Sequence, residues 1–177
     1  YYLLTDGTMH TGWVSIDNVY YYLGDSGAMA TGWVNMDNGW YYFDPNDGKC
    51  TVDLAREIND SWYMFGKDGK MLTGWQQRNN LWYYLNDQGA MVTGWVVSNN
   101  KWYYLNPSTT TGVEGAMLTG WIAYNNKWYC TDASGAMLEG WREVDGSWYY
   151  FYPGEGSKAV NTTIDGFPVD GNGVWHK

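Results

Sequence analysis

The sequence contains few of the residues that usually carry catalysis or bind metal ions. Among 177 residues there are only 2 Cys and 2 His. Neither Cys50 nor Cys130 has the paired spacing of a zinc site, and no Gly-rich phosphate loop or recognisable Ser, His and Asp set is present. A carboxylate pair for glycoside hydrolysis stays open, although most acidic residues fall in turns, where Asp bonds locally. We expect no metal, no cofactor and no catalytic site in this segment.

Positive charge and long apolar runs are also scarce. The chain carries 10 Lys and Arg against 19 Asp and Glu, which gives a formal net charge of −9. A phosphate polymer would be repelled, and aromatic platforms for single strands normally work beside basic grooves. No apolar run is long enough to cross a bilayer. We therefore expect neither a nucleic-acid partner nor a membrane-spanning segment.

Aromatic residues, in contrast, are abundant and oddly distributed. The chain has 13 Trp and 17 Tyr but only 4 Phe, together with 23 Gly. A conventional core of this length would use more Leu, Ile and Phe and fewer amphipathic rings. The rings therefore call for an arrangement other than one ordinary core.

These rings recur with a period of about 20 residues, which is typical of repeat proteins. A Trp-Tyr-Tyr motif or a variant follows seven residues after each Gly-Trp pair, and a Gly-Ala-Met element or a relative follows that. The chain opens in the frame of residues 21–23, so we expect it to begin inside a repeat. The Gly-Trp indoles are Trp13, Trp33, Trp75, Trp95, Trp121 and Trp141.

One unit, GWQQRNNLWYYL at residues 74–85, predicts a β-hairpin. The Asn79-Asn80 pair suits a two-residue turn because Asn tolerates positive φ. That turn sets Trp75 opposite Tyr84, and side-chain alternation brings both onto one face with Trp82. A lone hairpin is marginal in water, so each needs its neighbours. The predicted fold class is all-β, a solenoid of β-hairpins with repeats of about 20 residues.

The tryptophans have two interpretations, and for any single one both stay open. They could form only the core of the solenoid, yet Leu or Val would pack there as well. Clustered Trp and Tyr faces also suit sugar rings, which stack, and quaternary ammonium groups, which enter aromatic cages. A cage would be weak, with a Kd on the order of millimolar. Repetition would convert weak sites into firm attachment to a polymer.

The motif order TGW, WYYL and GAM resembles the choline-binding (cell-wall-binding) repeats of pneumococcal surface proteins and lysins, from residue 1 to about residue 156. Related glucan-binding repeats tend to carry Tyr at the second Trp position, so the choline type is favoured. The resemblance implies a non-catalytic module of hairpins in a superhelix. It also implies a secreted protein, attached to the cell wall through choline or phosphocholine of teichoic and lipoteichoic acids.

The resemblance divides the chain into a repeat solenoid over residues 1–160 and a cap or tail over residues 161–177. Within the solenoid, the repeat at about residues 44–66 is degenerate, because Ala55 stands in the indole position. Two alternatives stay open: a glucan or other carbohydrate-binding module of the same architecture, and a structural or host-adhesion surface. Dimerisation and a host-protein partner stay open as well.

The resemblance further implies cages between consecutive hairpins, with two rings from one unit, one from the next and often a Met nearby. We place the third ring at the second tyrosine of the following unit, because it lies on the indole face of its own hairpin. The predicted choline cages are Trp75, Trp82 and Tyr104; Trp121, Trp128 and Tyr150; and Trp13, Tyr20 and Tyr42.

Other positions are predicted to form weakened or degenerate sites. By the same rule Trp33 and Trp40 require an aromatic residue at Met64. Trp95 and Trp102 require one at Cys130. In the tail, Trp175 is a candidate to complete a last site with Trp141 and Trp148.

Overall fold

The computed structural model describes residues 2–36 and 39–176, and every regular element in these ranges is a β-strand. Tyr1 and Lys177, the outer limits of the predicted solenoid and tail, lie outside the described residues. Within these ranges no helix is long and apolar enough to cross a membrane. The strands are β1 Gly12–Ile16, β2 Val19–Leu23, β3 Gly32–Met36, β4 Gly39–Phe43, β5 Ala55–Ile58, β6 Ser61–Met64, β7 Gly74–Arg78, β8 Leu81–Leu85, β9 Gly94–Ser98, β10 Lys101–Leu105, β11 Gly120–Tyr124, β12 Lys127–Thr131, β13 Gly140–Val144, β14 Ser147–Phe151, β15 Thr162–Ile164 and β16 Phe167–Val169.

Each odd-numbered strand pairs with the next strand in an antiparallel hairpin, from β1 with β2 to β15 with β16. The predicted turn residues Asn79 and Asn80 have φ of 51° and 62°. Asn99 and Asn100 repeat this pattern, with φ of 50° and 60°. Positive φ at both central residues is the requirement of the type I′ turn, whose twist matches that of the strands. The predicted all-β, hairpin-repeat fold class is confirmed.

The two faces of a hairpin carry different aromatic residues. In β3–β4, Trp33 lies opposite Tyr42 and Val34 lies opposite Tyr41. Because side chains alternate along a strand, Trp40 joins Trp33 and Tyr42 on one side, which we call the front face. Tyr41 and Phe43, with Val34, form the back face. The same register recurs in β9–β10, where Trp95 lies opposite Tyr104.

Consecutive hairpins stack front to back. The Trp33 ring lies 4.9 Å from that of Tyr63 and 5.7 Å from that of Phe65, two back-face residues of the next hairpin. Phe43, Phe65 and Phe151 are fully buried in these interfaces. A two-stranded sheet that repeats by stacking must bury both faces, so the front of one hairpin covers the back of the next.

A short connection after each hairpin also links it to the preceding one. We call the last residue of the Gly-Ala-Met element, or its equivalent, the bridge residue. Met71 pairs with Phe65 of its own hairpin. Its backbone N–H donates to the Trp40 carbonyl of the preceding hairpin, at 2.7 Å. This hydrogen bond fixes the bridge residue beside the second Trp of the earlier unit.

The chain forms two compact units, which we describe separately. The first comprises residues up to Gln76 with Tyr84–Met91, and the second comprises Gln77–Tyr83 with the chain from Val92 onward. The predicted tail contains the hairpin β15–β16 and lies in the second unit. The boundary predicted at residue 160 stays a prediction.

Candidate functional site

In the first unit, one pocket is walled by Trp33, Trp40 and Tyr63, with Met71 at the bridge position. The indoles of Trp33 and Trp40 lie 6.4 Å apart with their planes at 85°. The Tyr63 ring is 4.9 Å from Trp33 at 67°. Three rings at steep angles thus line an open space of about 530 Å³, and one of them, Trp40, is 46% exposed.

The third wall of this pocket is not the residue that the sequence rule assigned to the Trp33 and Trp40 site. Met64, the residue predicted to supply the third wall, is buried and lies opposite Ala55 on its own hairpin. The third wall is Tyr63, one residue earlier. The sequence rule took the residue that shares a face with the indoles of its own hairpin. Because hairpins stack front to back, the facing ring instead comes from the back face of the next unit.

The predicted third rings Tyr42 and Tyr150 likewise do not face the preceding hairpin. The Tyr42 ring packs 5.1 Å from Trp33, and Tyr150 packs 5.3 Å from Trp141, so each lies against the front indole of its own hairpin. Tyr41 takes the position predicted for Tyr42, with its ring 5.1 Å from Trp13. Sequence reasoning did not select Tyr41 or Tyr63 as third walls, because the alternation of the WYY motif places them on the face opposite the indoles of their own hairpins.

The predicted set of Trp75, Trp82 and Tyr104 draws on both compact units. In the first unit, the Trp75 ring lies 5.1 Å from that of Tyr84. In the second, Tyr104 is buried and its ring lies 4.8 Å from that of Trp95, on the front of its own hairpin. A joint role for Trp75 and Trp82 stays a prediction.

A second pocket of the first unit is lined by Trp13, Tyr20 and Tyr41, with Cys50 at the bridge position. It has a volume of about 300 Å³. The predicted residues Trp13 and Tyr20 thus line one pocket, and their role in choline binding stays a prediction. Burial raises the pKa of the Cys50 thiol to about 11, so this wall of the pocket is uncharged at neutral pH.

The second unit repeats the arrangement with Trp95, Trp102 and Tyr129. The indoles lie 6.5 Å apart at 84°, and the Tyr129 ring is 5.1 Å from Trp95. Met137 has the bridge position, with its N–H donating to the Trp102 carbonyl at 2.8 Å. Cys130, the residue expected to weaken this site, is buried opposite Trp121 and belongs to the next interface. An aromatic third wall is thus present at Tyr129, and the predicted weakening of this site stays a prediction.

A further aromatic group joins Trp121, Trp128 and Tyr149. The indoles lie 6.4 Å apart at 82°, and the Tyr149 ring is 4.8 Å from Trp121. Here the bridge residue is Lys158, whose N–H donates to the Trp128 carbonyl at 2.7 Å. The predicted pair Trp121 and Trp128 is brought together, but its surroundings differ from those of the other sites.

The tail completes another pocket, in the second unit. Trp141, Trp148, Phe167 and Trp175 line a space of about 200 Å³. The Trp175 ring lies 6.4 Å from Trp141 and 5.5 Å from Phe167. The structure thus brings Trp175 beside the predicted pair. Phe167, which lies in the predicted cap or tail, occupies the position of Tyr63 in the repeat, although its strand lacks the WYY motif.

The degenerate repeat keeps its hairpin but loses its indole. Ala55 lies opposite Met64, where other units have the Gly-Trp indole. The neighbouring Arg56 places its guanidinium 5.0 Å from the centre of the Tyr42 ring and forms an ion pair with Asp44. Hydrogen bonding to Arg56 lowers the pKa of Asp44. The back face of this unit therefore contributes a packing contact through Arg56, while Ala55 leaves its front face without an indole.

Carboxylates lie near two of the aromatic pockets. Asp87 borders the pocket of Trp33 and Trp40, and Asp68 borders that of Trp13. Within the described residues, no three His, Cys, Asp or Glu side chains are grouped so as to hold a metal ion. Lys67 also lines the Trp13 pocket and offsets Asp68. The Trp33 and Trp40 pocket, with its rings and the Asp87 carboxylate, therefore better suits an organic cation.

Two family models match the chain. The chain matches the model of the choline-binding repeat over residues 10–53, 72–109 and 118–162. Residues 56–71 match a putative cell wall binding repeat. No curated protein matches the chain.

Among solved structures, CbpJ from Streptococcus pneumoniae TIGR4 is 38% identical with a TM-score of 0.90, over 99% of this chain and 61% of that one. Choline binding protein F from Streptococcus pneumoniae, solved in the presence of a peptidoglycan analogue, is 41% identical with a TM-score of 0.82, over 95% and 58%. The autolysin LytC of the same organism is 22% identical with a TM-score of 0.77, over 99% and 40%, and supports the fold alone. The chain spans about three fifths of the length of the first two.

Proposed function

Because the chain belongs to the choline-binding repeat family, we propose that it is a non-catalytic module that binds choline or phosphocholine through its aromatic cages. The proposal rests on one observation above all: Trp33, Trp40 and Tyr63 enclose a space on three sides with ring planes at 67° to 85°. A roughly spherical trimethylammonium group can contact all three faces at once, whereas a flat ligand can stack on only one.

The energetics suit a weak but specific site. A cation over one aromatic face gains about 0.5–2 kcal/mol. Three faces together support a binding free energy on the order of 4 kcal/mol, which corresponds to a Kd of about 1 mM. Met71 adds a polarizable thioether to the wall, and Asp87 adds a negative charge at the border.

We propose further that several such cages hold the protein on choline-bearing teichoic and lipoteichoic acids. The equivalent cages are Trp13 with Tyr20 and Tyr41, Trp95 with Trp102 and Tyr129, and Trp141 with Trp148, Phe167 and Trp175. A polymer that carries many choline groups can occupy them together, so that weak sites combine into firm attachment. The match to a putative cell wall binding repeat supports a secreted protein held at the bacterial surface.

Retention on a column that carries a tertiary-amine choline analogue, followed by elution with free choline, tests this function. We expect the wild-type protein to be retained and eluted by choline. Trp40→Ala removes one wall of an intact cage, so it should lower the choline concentration needed for elution. In calorimetry it should reduce the number of bound cholines by one.

Trp62→Ala provides the matched control. Trp62 has the same strand position and similar exposure, 39% against 46% for Trp40, but Ala55 stands where its partner indole would be. We expect this variant to behave as the wild type. Flow-through of folded wild-type protein would contradict the proposal. Binding to a glucan panel would then favour the carbohydrate alternative, and binding to neither would favour an adhesion surface.

A further inference from the structure

The cage of Trp121, Trp128 and Tyr149 differs from the intact cages at its bridge position. Lys158 pairs with Phe151 as Met137 pairs with Thr131. Its N–H donates to the Trp128 carbonyl at 2.7 Å, the counterpart of the bond from Met137 to Trp102 at 2.8 Å. The two bridge residues therefore occupy equivalent positions in the repeat. A lysine stands where the neighbouring cage has a methionine.

The side chain of Lys158 brings its own cation to these rings. The Nζ atom lies 5.1 Å from the centre of the Trp121 ring and 5.5 Å from that of Tyr149. Both distances fall within the range of about 6 Å over which an ammonium is attracted to an aromatic face. These are the same two rings that correspond to Trp33 and Tyr63 in the intact cage. The ammonium thus lies over two of the three walls.

A hydrogen bond and the path of the lysine stem also hold the ammonium in place. The Nζ atom donates a hydrogen bond to the Asn172 carbonyl at 2.7 Å, in the turn of the following unit. The lysine stem passes that turn closely: a Cβ on Gly173 would lie 2.8 Å from Lys158 Cδ and Cε. Met137 passes Gly156 in the same way in the preceding unit. The lysine therefore follows the path of the methionine and ends in a charged group.

The charge survives this environment. Burial lowers the pKa of Lys158 from its ordinary value of 10.5, and the nearby carboxylate of Asp170 opposes that effect. Asp170 also pairs with His176 at 2.9 Å, so the carboxylate is held beside the turn. The side chain is cationic at neutral pH, with aromatic faces, a carbonyl oxygen and a neighbouring carboxylate to stabilise it.

We propose that Lys158 is a built-in occupant of this cage, which takes the place of the choline trimethylammonium group and closes the site to external ligand. A second cation in the same space would be repelled by the ammonium. It would also have to displace Lys158 from the Asn172 carbonyl. The inference rests on the proposed function, since it takes choline as the ligand of the intact cages.

The same contact ties the last hairpins of the chain together. The ammonium joins rings from β11 and β14 to the turn at Asn172, which follows β16. In the other cages an external ligand would supply the cation. Here the cation belongs to the chain and is present whether or not choline is.

The number of cholines bound per chain, measured by calorimetry with choline chloride, tests the proposal. Lys158→Met restores the methionine of the neighbouring cage, so we expect this variant to bind one more choline than the wild type. Lys127→Met is the matched control. This substitution removes the same charge beside the same Trp128, but Lys127 is ion-paired with Glu155 at the surface. We expect this control to bind the wild-type number.

The outcomes separate this inference from the proposed function. If the wild type binds choline and Lys158→Met binds no more than Lys127→Met, the built-in occupant is wrong while the intact cages stand. If no chain binds choline, both are wrong. An equal gain in both variants would assign the effect to net charge and would also overturn the inference.

A measurement on the native chain provides a test that does not depend on the folding of the variant. Ring currents of Trp121 and Tyr149 should shift the Lys158 ε-methylene proton resonance upfield, well away from that of Lys127. We expect this shift to persist at choline concentrations that saturate the intact cages. Movement to the value of a free lysine on choline addition would show that the ligand displaces the ammonium, and the site would not be closed.

Discussion

At the scale of single residues, the bridge position determines what fills the base of each cage. Met71 and Met137 place a thioether there, Cys50 a thiol, Lys158 an ammonium and Trp175 a further ring. In each case the backbone N–H of the bridge residue donates to a carbonyl of the preceding hairpin, at 2.7 to 2.9 Å. Because the backbone is fixed in this way, the side chain can change without moving the aromatic walls.

The buried cysteines give a prediction at this scale. Burial raises the pKa of both Cys50 and Cys130 from 9.0 to about 11. At pH 8 the thiolate fraction should be about one in a thousand in the folded protein against about one in ten unfolded. We expect iodoacetamide to alkylate native protein about 100-fold more slowly than urea-unfolded protein. Single Cys→Ser variants assign each rate, and equal rates in both states would contradict the burial.

The same shift has a consequence for stability. The folded state holds these thiol protons more tightly than the unfolded state does. Their contribution to the free energy of unfolding is therefore fully present below pH 9 and is lost as the pH rises towards 11.

At the scale of the hairpin, the closest packing lies where a bridge side chain passes beneath the next turn. A Cβ on Gly156 would lie 2.2 Å from Met137 Sδ and 2.9 Å from its Cγ. Gly89 meets Met71 in the same way, with 2.3 Å to Sδ. The glycine of the Gly-Ala-Met element therefore makes room for the methionine of the preceding unit, besides adopting a positive φ.

Two glycines in one turn separate these effects. Gly154 and Gly156 have φ of 77° and 75°, but a Cβ on Gly154 would meet nothing within 4 Å. Both Ala variants carry the strain of positive φ, and only Gly156→Ala adds the collision with Met137. We expect Gly156→Ala to lose about 1–3 kcal/mol more in urea unfolding than Gly154→Ala. It should also weaken choline binding at the cage of Trp95 and Trp102, because Met137 is displaced towards it. Equal losses would show that Met137 moves aside freely.

Much of the hairpin could be predicted from the sequence, but the partner of its front face could not. Alternation shows which side chains share a face, so Trp33 and Trp40 were placed together correctly. It does not show which face the next hairpin presents, and the choice of Tyr42 as the partner of Trp13 was wrong by one residue. Phe167 was not recognised because no motif marks it. Its role follows only from the pairing of Val169 with Trp175.

At the scale of the whole molecule, each proposed cage is weak alone, so firm attachment would depend on how many cages are occupied together. The resemblance of the TGW, WYYL and GAM motifs to choline-binding repeats is confirmed by the family match. Intact cages occur in both compact units, for example at Trp40 in the first and Trp102 in the second. The proposed attachment to a polymer would depend on their combined occupation, whereas free choline would meet each one separately.

The double variant Trp40→Ala with Trp102→Ala tests this dependence. The remaining cages should bind free choline with unchanged Kd in calorimetry, with two fewer cholines per chain. The affinity for choline-bearing teichoic acid should fall by more than the product of the reductions caused by the two single variants. The additional loss is expected because fewer cages remain to rebind the polymer after one cage releases it. If the affinity of the double variant falls only in proportion to the two missing sites, the cages act independently of one another.

Each cage takes its indole pair from one hairpin and its third wall from the next, so the hairpin is not itself the binding unit. A gene that gains or loses one repeat of about 20 residues by unequal recombination therefore gains or loses one junction, and the junction re-forms between whichever hairpins become neighbours. The strength of the proposed attachment to the polymer can thus change in whole steps with the number of repeats. No new contact has to arise by point mutation. A single substitution at a bridge position, such as lysine for methionine, closes one cage to choline without reducing the number of repeats.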